Sequence, residues 1–242
     1  MATDQRSWVL DELAYAGREN LDAEHVTRYD GKMDAEAAAE LAALQARGLG
    51  SDATVIDIGA GTGQFTLAAA GAVRKVIAVD VSPVMLEHLR AKLDERGVEN
   101  LECVRGGFLT YDHVGEGADL VYSRLALHHL PDFWKACALV RMAEMLKPGG
   151  LLRLSDVVYG FAPTEAEAYL ERWISEMASD SVEGGWTREE LEEHVRDEHS
   201  TFTWLLEPMI EKAGFAIEHT EYSEDRIFAS YHCRKPASPV AG

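Results

Sequence analysis

Residues 57–63 read Asp57-Ile58-Gly59-Ala60-Gly61-Thr62-Gly63, with three glycines in seven positions. Residues 54–58, which overlap the start of this stretch, form a short β-branched run that predicts a strand. Residues 64–70 are good helix formers and stop at Gly71, which predicts a helix. Glycines at such a junction let the chain turn sharply and let a ligand lie against bare backbone. The free N–H groups of the following helix suit a carboxylate or another anion. We therefore expect a ligand-binding turn here.

Strand-like and helix-like runs alternate from residue 53 to residue 160. Further strands are predicted at 75–80, 101–104, 118–122 and 151–158. One helix is predicted between Ser82 and Gly97, and these two residues can cap its ends. A second helix is predicted from Asp132 to Leu146. Strands separated by helices at this spacing indicate βαβ units, and hence a parallel sheet with helices on both faces.

The C-terminal part of the chain departs from this alternation. After a helical pattern at 202–212, two strand-like runs, 215–222 and 226–233, are joined by only a few polar residues. A connection this short cannot be a parallel crossover, so the two runs must pair antiparallel. The predicted fold class is α/β, with a doubly wound, mostly parallel seven-stranded sheet and a C-terminal antiparallel hairpin.

Two helical segments are predicted outside the sheet. Residues 1–50 would form an N-terminal helical lid, and residues 160–200 a helical cap inserted into a domain that spans residues 51–235. Ligands of an open α/β sheet bind beyond the carboxyl ends of its strands, which both segments can reach. The alternative is that these helices cover a sheet edge or make a dimer contact.

Charge and composition exclude several classes of partner. The 242-residue chain carries 42 acidic and 23 basic residues, for a formal net charge of −19. A field of that sign repels phosphate backbones and anionic lipids, so neither nucleic acid nor a membrane is expected as a partner. The N-terminus does not resemble a signal peptide, and the three cysteines lack metal-binding spacing. These features predict a cytoplasmic protein without a metal site.

Asp80 indicates that the ligand carries a ribose. It ends the second predicted strand, where a carboxylate can accept two hydrogen bonds from a ribose diol. The alternative is an aspartate that only caps the next helix or forms a turn. Its distance from the glycines favours the first interpretation.

Together these motifs resemble the class I S-adenosylmethionine (SAM)-dependent methyltransferases over roughly residues 50–235. The resemblance implies a Rossmann-like methyltransferase fold, SAM as the cofactor, and O- or N-methylation of a small-molecule acceptor. Many members carry an aspartate where this chain has Gly107. The implied cofactor-binding residues are Asp57, Gly59, Ala60, Gly61 and Gly63 at the methionine part, Asp80 and Val81 at the ribose, Gly107 and Phe108 at the adenine, and Ser123 and Arg124 below the methionine and towards the acceptor.

Two more residues are candidates by position. Related enzymes often place an N-terminal aromatic residue over the SAM carboxylate, and Tyr29 is the candidate here, although it can equally belong to a linker. His128 is the candidate general base, because histidine titrates near neutrality and can take a proton from a hydroxyl acceptor. The alternative is a structural His128, with catalysis resting on proximity of acceptor and sulfonium.

Two other functions remain open from the sequence. A nicotinamide-dependent oxidoreductase would share the glycine loop, but Gln64 stands where its third glycine would be, and the antiparallel hairpin departs from that fold. A catalytically silent SAM-binding protein would keep the same binding residues. Fold and cofactor do not determine the acceptor, so the sequence predicts neither its identity nor the oligomeric state.

Overall fold

The computed structural model describes residues 7–17, 20–22, 26, 36–179 and 185–237. In these residues the chain forms one mixed sheet and seven α-helices. The strands are β1 (Thr54–Ile58), β2 (Lys75–Asp80), β3 (Leu101–Arg105), β4 (Ala118–Arg124), β5 (Leu146–Tyr159), β6 (Thr201–Phe202), β7 (Ala216–Tyr222) and β8 (Phe228–Arg234). The helices are α1 (Ala37–Ala46), α2 (Gln64–Ala70), α3 (Pro83–Arg96), α4 (Asp132–Met145), α5 (Ala166–Met177), α6 (Arg188–Asp197) and α7 (Thr203–Lys212).

The sheet has the strand order β3-β2-β1-β4-β5-β8-β7. Strands β1 to β5 run parallel, whereas β8 is antiparallel to both β5 and β7. This topology confirms the predicted doubly wound sheet and its reversed C-terminal hairpin. The additional strand β6 has two residues and pairs with β5. It was not predicted, because two residues are too short to show a hydrophobic period.

Alternate residues of the central strands feed two hydrophobic layers. Ile56 and Val121 point towards α4 and α7, whereas Val55 and Leu120 point towards α1 and α2. All five residues of β1 are buried. A strand that is buried on both faces is typical of a parallel sheet between two helical layers, and this burial fixes the position of the loop that follows β1.

Local signals place most element ends where the sequence predicts them. The Ser82 hydroxyl accepts a bond from the Met85 N–H, 3.2 Å away, at the start of α3, and Gly97 ends that helix with a φ of +64°. Two predictions were wrong in detail. Strand β5 begins at Leu146 instead of Leu151, because Leu146 already pairs with β4. Within the segment 1–50 that was predicted to be helical, residues 8–10 are not helical, and a short 3₁₀ helix, Glu12–Tyr15, follows them.

The segment after β5 builds a small core of its own. Helices α5 and α6 pack Trp173, Ile174 and Leu191 against Val157 and Tyr159 of β5. The segment is therefore anchored on the end of the sheet, next to the carboxyl ends of the strands. Among the described helices, none is both long and apolar enough to cross a bilayer.

Candidate functional site

A cleft opens at the carboxyl ends of β1, β2 and β4, where the chain order of the strands reverses. Its empty space is about 1030 Å³ with the open mouth included. That volume is at the upper end of the usual range for small-molecule sites. Glycine-loop residues, strand ends and the N-terminal part of the chain form its walls.

The glycine loop holds its backbone in conformations that other residues avoid. Gly59, Gly61 and Gly63 have φ angles of +75°, +53° and +82°. A Cβ on Gly59 would overlap the segment after β4, and one on Gly63 would overlap Leu89 of α3. A Cβ on Gly61 would meet only the sulfur of Met85, 3.9 Å away. Protein packing therefore requires the first and third glycines, whereas the space beside Gly61 is open to a ligand.

Two buried carboxylates flank this loop. Asp57 accepts a hydrogen bond from the Thr66 hydroxyl, and burial, partly opposed by that bond, raises its pKa to about 7. Asp80 accepts bonds from the N–H groups of Gly61, at 2.7 Å, and Ser82, at 2.8 Å. Burial raises the pKa of the Asp80 carboxyl as well, against these two bonds. Asp80 thus ties the glycine loop to the end of β2.

Most of the sequence-predicted cofactor residues meet in this one cleft. They are Asp57, Gly59, Ala60, Gly61, Asp80, Val81, Gly107, Phe108 and Arg124. The structure corrects the placement of two others. Gly63 packs beneath Leu89, and Ser123 is fully buried away from the cleft, because successive strand residues point to opposite faces. Tyr29 lies outside the described residues.

The end of β4 gives the cleft an aromatic and a cationic wall. Tyr122 stacks on Phe65 with ring centroids 3.6 Å apart. The Arg124 guanidinium is 2.7 Å from the carboxylate of Glu36, just before α1. Tyr122 and Arg124 are the two neighbours of Ser123, and the same alternation that turns Ser123 away brings them into the cleft.

Sequence reasoning missed the N-terminal residues of the cleft wall. Glu12, Ala16, Asn20 and Ala37 all line it. No motif marks them, and the only signal was the prediction that the first 50 residues form a lid. Glu12 is buried, and its carboxylate accepts bonds from the Leu109 N–H, at 3.0 Å, and from the Thr110 hydroxyl, at 3.1 Å.

His128 does not line the cleft, because it is buried between two carboxylates. Its Nδ1 is 2.5 Å from Asp156 and its Nε2 is 2.9 Å from Glu198. Burial alone would lower the pKa of His128, but the two carboxylates outweigh that effect and raise the pKa to about 10. Both ring nitrogens are engaged and the ring is protonated at neutral pH. This arrangement argues against the predicted general-base role.

Asp156 and Glu198 are held by further contacts. Asp156 also accepts bonds from the backbone N–H groups of Leu127, at 2.8 Å, and Val157, at 2.8 Å. A carboxylate oxygen of Glu198 lies 2.5 Å from Nδ1 of His194 on α6. His128 and His194 together lower the pKa of the Glu198 carboxyl despite its burial. The network therefore joins β5, the segment after β4 and the segment after α6.

His129, the neighbour of His128, does line the cleft. Its Nε2 is 3.4 Å from the side-chain nitrogen of Asn20. Burial, together with the nearby charge of His128, lowers the pKa of His129 to about 3. Its imidazole is therefore neutral at physiological pH, and it is a weak base. The histidine that faces the cleft is not the one preferred from the sequence.

The two histidines also form a group that could hold a metal ion. Ligand atoms of His128, His129 and Glu198 all lie within 4.8 Å of one another. Sequence reasoning predicted no metal site and did not find this group, because Glu198 is about 70 positions away from the histidines. In the described residues, the ion pair between His128 and Glu198 balances the charges of this group without a metal.

Comparisons with known proteins agree with this geometry. Residues 55–150 match the family model described as a methyltransferase domain. The chain is 26% identical over 174 residues to an uncharacterized methyltransferase of Bacillus velezensis, covering 72% of this chain and 75% of that protein. It is 26% identical over 197 residues to a demethylmenaquinone methyltransferase of Lactococcus lactis, covering 77% and 75%.

A solved structure supports the same fold. The magnesium protoporphyrin IX methyltransferase of Synechocystis PCC 6803, determined with bound S-adenosylhomocysteine (SAH), aligns with a TM-score of 0.60 at 17% sequence identity. The alignment covers 82% of this chain and 81% of that one.

Proposed function

We propose that this chain, a class I SAM-dependent methyltransferase, methylates a small-molecule acceptor at oxygen or nitrogen. The observation that carries the proposal is the shape of the cleft. Its only wall beyond the domain core, among the described residues, comes from the N-terminal segment, and its empty space of about 1030 Å³ is of the size found in small-molecule sites. The net charge of −19 further favours a small acceptor over a nucleic acid.

The residues present fit SAM. The open space beside Gly61 suits a ligand that lies against backbone, and the Asp80 carboxylate at the end of β2 suits a ribose diol. We assign the methionine part to Asp57, Gly59, Ala60 and Gly61, the ribose to Asp80 and Val81, the adenine to Gly107 and Phe108, and the methionine carboxylate to Arg124. Tyr29 remains a proposed contact of that carboxylate.

SAM supplies an electrophilic methyl group on a sulfonium. The protein would contribute mainly orientation and the exclusion of water, which are large effects in a bimolecular transfer. We propose that residues 1–50 act as a lid and that residues 160–200 form a cap beside the acceptor. The lid proposal is supported by Glu12, Ala16 and Asn20, which already line the cleft. No residue in the described part of the cap lines the cleft. The cap proposal is therefore supported by the ion-pair network through Glu198.

The two histidines restrict the acceptor. His128 is protonated with a carboxylate beside each ring nitrogen, and the neutral His129 is a weak base. Neither is suited to removing a proton from an alcohol at neutral pH. We therefore favour a nucleophile that is free without a strong base, such as a neutral amine or an acidic hydroxyl. Demethylmenaquinone and magnesium protoporphyrin IX, named for two similar proteins, support an acceptor of small-molecule size.

Two measurements test the proposal. Calorimetry should show SAH binding in the micromolar range, about −8 kcal/mol. Incubation with SAM labelled on its methyl group, together with a cell extract separated by size, should label only the small-molecule fraction. Transfer of the label to RNA or DNA would contradict the proposed acceptor class. Absence of transfer to every fraction, despite SAH binding, would favour the silent binding protein. The cytoplasmic location stays a prediction from the sequence.

A further inference from the structure

The glycine at position 107 is explained by space and not by backbone conformation. Gly107 follows β3, and its φ lies outside the left-handed region that favours glycine. A Cβ placed there would overlap the carboxylate of Glu12 and come within 2.6 Å of Val81. The place that a side chain of residue 107 would occupy is therefore already filled by a carboxylate from a different part of the chain, 95 residues earlier.

Glu12 is held firmly in that place. It is 6% exposed, and its Oε2 accepts bonds from the Leu109 N–H and the Thr110 hydroxyl. Thr110 in turn accepts a bond from the Gly107 N–H, at 2.9 Å. A carboxylate offers about four lone-pair sites, so acceptor capacity remains for a ligand. Glu12 lines the cleft, and burial raises the pKa of its carboxyl against these bonds.

The sheet topology indicates which part of the ligand meets Glu12. The order β3-β2-β1-β4 places the end of β3 on one side of Asp80, and the glycine loop and Arg124 on the other. A nucleoside with its ribose at Asp80 and its charged sulfur substituent beside the loop must therefore direct its base over the end of β3. There Phe108 and Val81 offer apolar surface, and Glu12 offers hydrogen-bond acceptors.

We infer that Glu12 is the residue that selects adenine, by accepting a hydrogen bond from the exocyclic amine of the base. This inference rests on the proposed SAM site. An amine donates to a carboxylate, whereas a carbonyl at the same position of the base would place two acceptors face to face. The 3₁₀ helix that carries Glu12 thus becomes part of the cofactor site, and Gly107 is the glycine that makes room for it.

The test compares two ligands that differ at that one position: SAH and its deaminated analogue, S-inosylhomocysteine. Calorimetry on the wild-type protein should show at least a tenfold preference for SAH. In Glu12→Gln, the side-chain amide can accept a hydrogen bond from the amine of SAH or donate one to the carbonyl of the analogue, so the preference should fall to threefold or less. The matched control is Glu102→Gln on β3, whose carboxylate is exposed and paired with Lys75. It should keep the full preference.

A carboxylate exchange separates recognition from folding. Gly107→Asp alone should weaken SAH binding at least tenfold, because its side chain meets Glu12. The double variant Glu12→Ala, Gly107→Asp, made in a Val81→Ala background because a Cβ at position 107 would also overlap Val81, should recover both the affinity and the preference for SAH that Val81→Ala has by itself, since one carboxylate again occupies the space. An unchanged preference in Glu12→Gln, or a double variant no better than Gly107→Asp, would overturn the role of Glu12 while leaving the SAM site standing. Failure of the wild-type protein to bind SAH would overturn both.

Discussion

The loop side of the cleft and the buried histidine network next to the cleft (the histidine side) are built in opposite ways. On the loop side, Gly61 and Asp80 present backbone and carboxylate towards the cleft, within segments of a few residues each. On the histidine side, His128, Asp156 and Glu198 come from distant positions and form ion pairs in the interior. The loop side is arranged to bind, whereas the histidine side is arranged to hold three segments together. A histidine beside a cofactor cleft therefore need not serve catalysis.

The largest expected effect is on the loop side. Gly61→Val should weaken SAH binding about a thousandfold or more, roughly 4 kcal/mol, because the side chain fills the ligand's space and Gly61 has a φ of +53°. Calorimetry measures it. Gly97→Val is the control, since Gly97 has a similar φ of +64° but no neighbour within 4 Å and no place in the cleft. Loss of binding in both variants would mean that backbone strain, and not the ligand site, is responsible.

The next effect is on stability and belongs to the histidine side. Asp156→Asn should lower the free energy of unfolding by about 3 kcal/mol, because it leaves the buried charge of His128 with one carboxylate fewer. Urea unfolding measures it. Glu171→Gln, which breaks an exposed pair with Arg188, should change stability by less than about 0.5 kcal/mol. If Asp156→Asn, still folded, also lost SAH binding more than tenfold, the division between the two sides would fail.

A smaller loss of binding is expected at the end of β2. Asp80→Ala should weaken SAH binding by about tenfold to a hundredfold, roughly 1.4–2.8 kcal/mol, because the charge-assisted bonds of its carboxylate are lost. The control is Asp119→Ala, since Asp119 also accepts a backbone bond, from the Thr54 N–H at 2.9 Å, but lies at the other end of the sheet. Equal SAH affinity in wild type and Asp80→Ala would reduce Asp80 to a turn residue.

The last expected effect is a pH dependence of stability. Folding raises the pKa of His128 from 6.5 to about 10, so its stabilising contribution is complete below about pH 6.5 and is lost as the pH rises through 10. Between pH 7 and pH 10 the wild-type Tm should therefore fall by on the order of 10 °C more than that of His128→Gln. Parallel Tm curves for the two proteins would show that His128 is not charged in the folded state.

Sequence reasoning succeeded where the structure depends on neighbouring residues. The glycine loop, Asp80 at a strand end and the caps of α3 are each encoded within a few positions, and the reversed hairpin follows from the length of one connection. The prediction still failed for Ser123, whose side chain is buried away from the cleft. A motif can locate a strand end without showing which of its residues face the cleft.

It failed where the structure depends on long-range contacts. Asp156 and Glu198 raise the pKa of His128, and no pattern in the neighbouring sequence predicts that these carboxylates surround it. His129, one position later, points into the cleft only because the 3₁₀ helix Leu127–His129 turns it that way. Glu12 reaches Gly107 across 95 positions. Such contacts are decided by packing of the whole chain.

The contact between Glu12 and position 107 has an evolutionary consequence. The two positions share one space for one carboxylate, so they cannot change independently without loss of a function or a clash. Among homologous chains we expect exchange in pairs: an acidic residue at position 12 with glycine at 107, or an aspartate at 107 with a small or neutral residue at 12. Frequent chains with acids at both positions would contradict this correlation. A glycine at position 107 would then indicate that the binding carboxylate is supplied by another segment of the chain, and not that it has been lost.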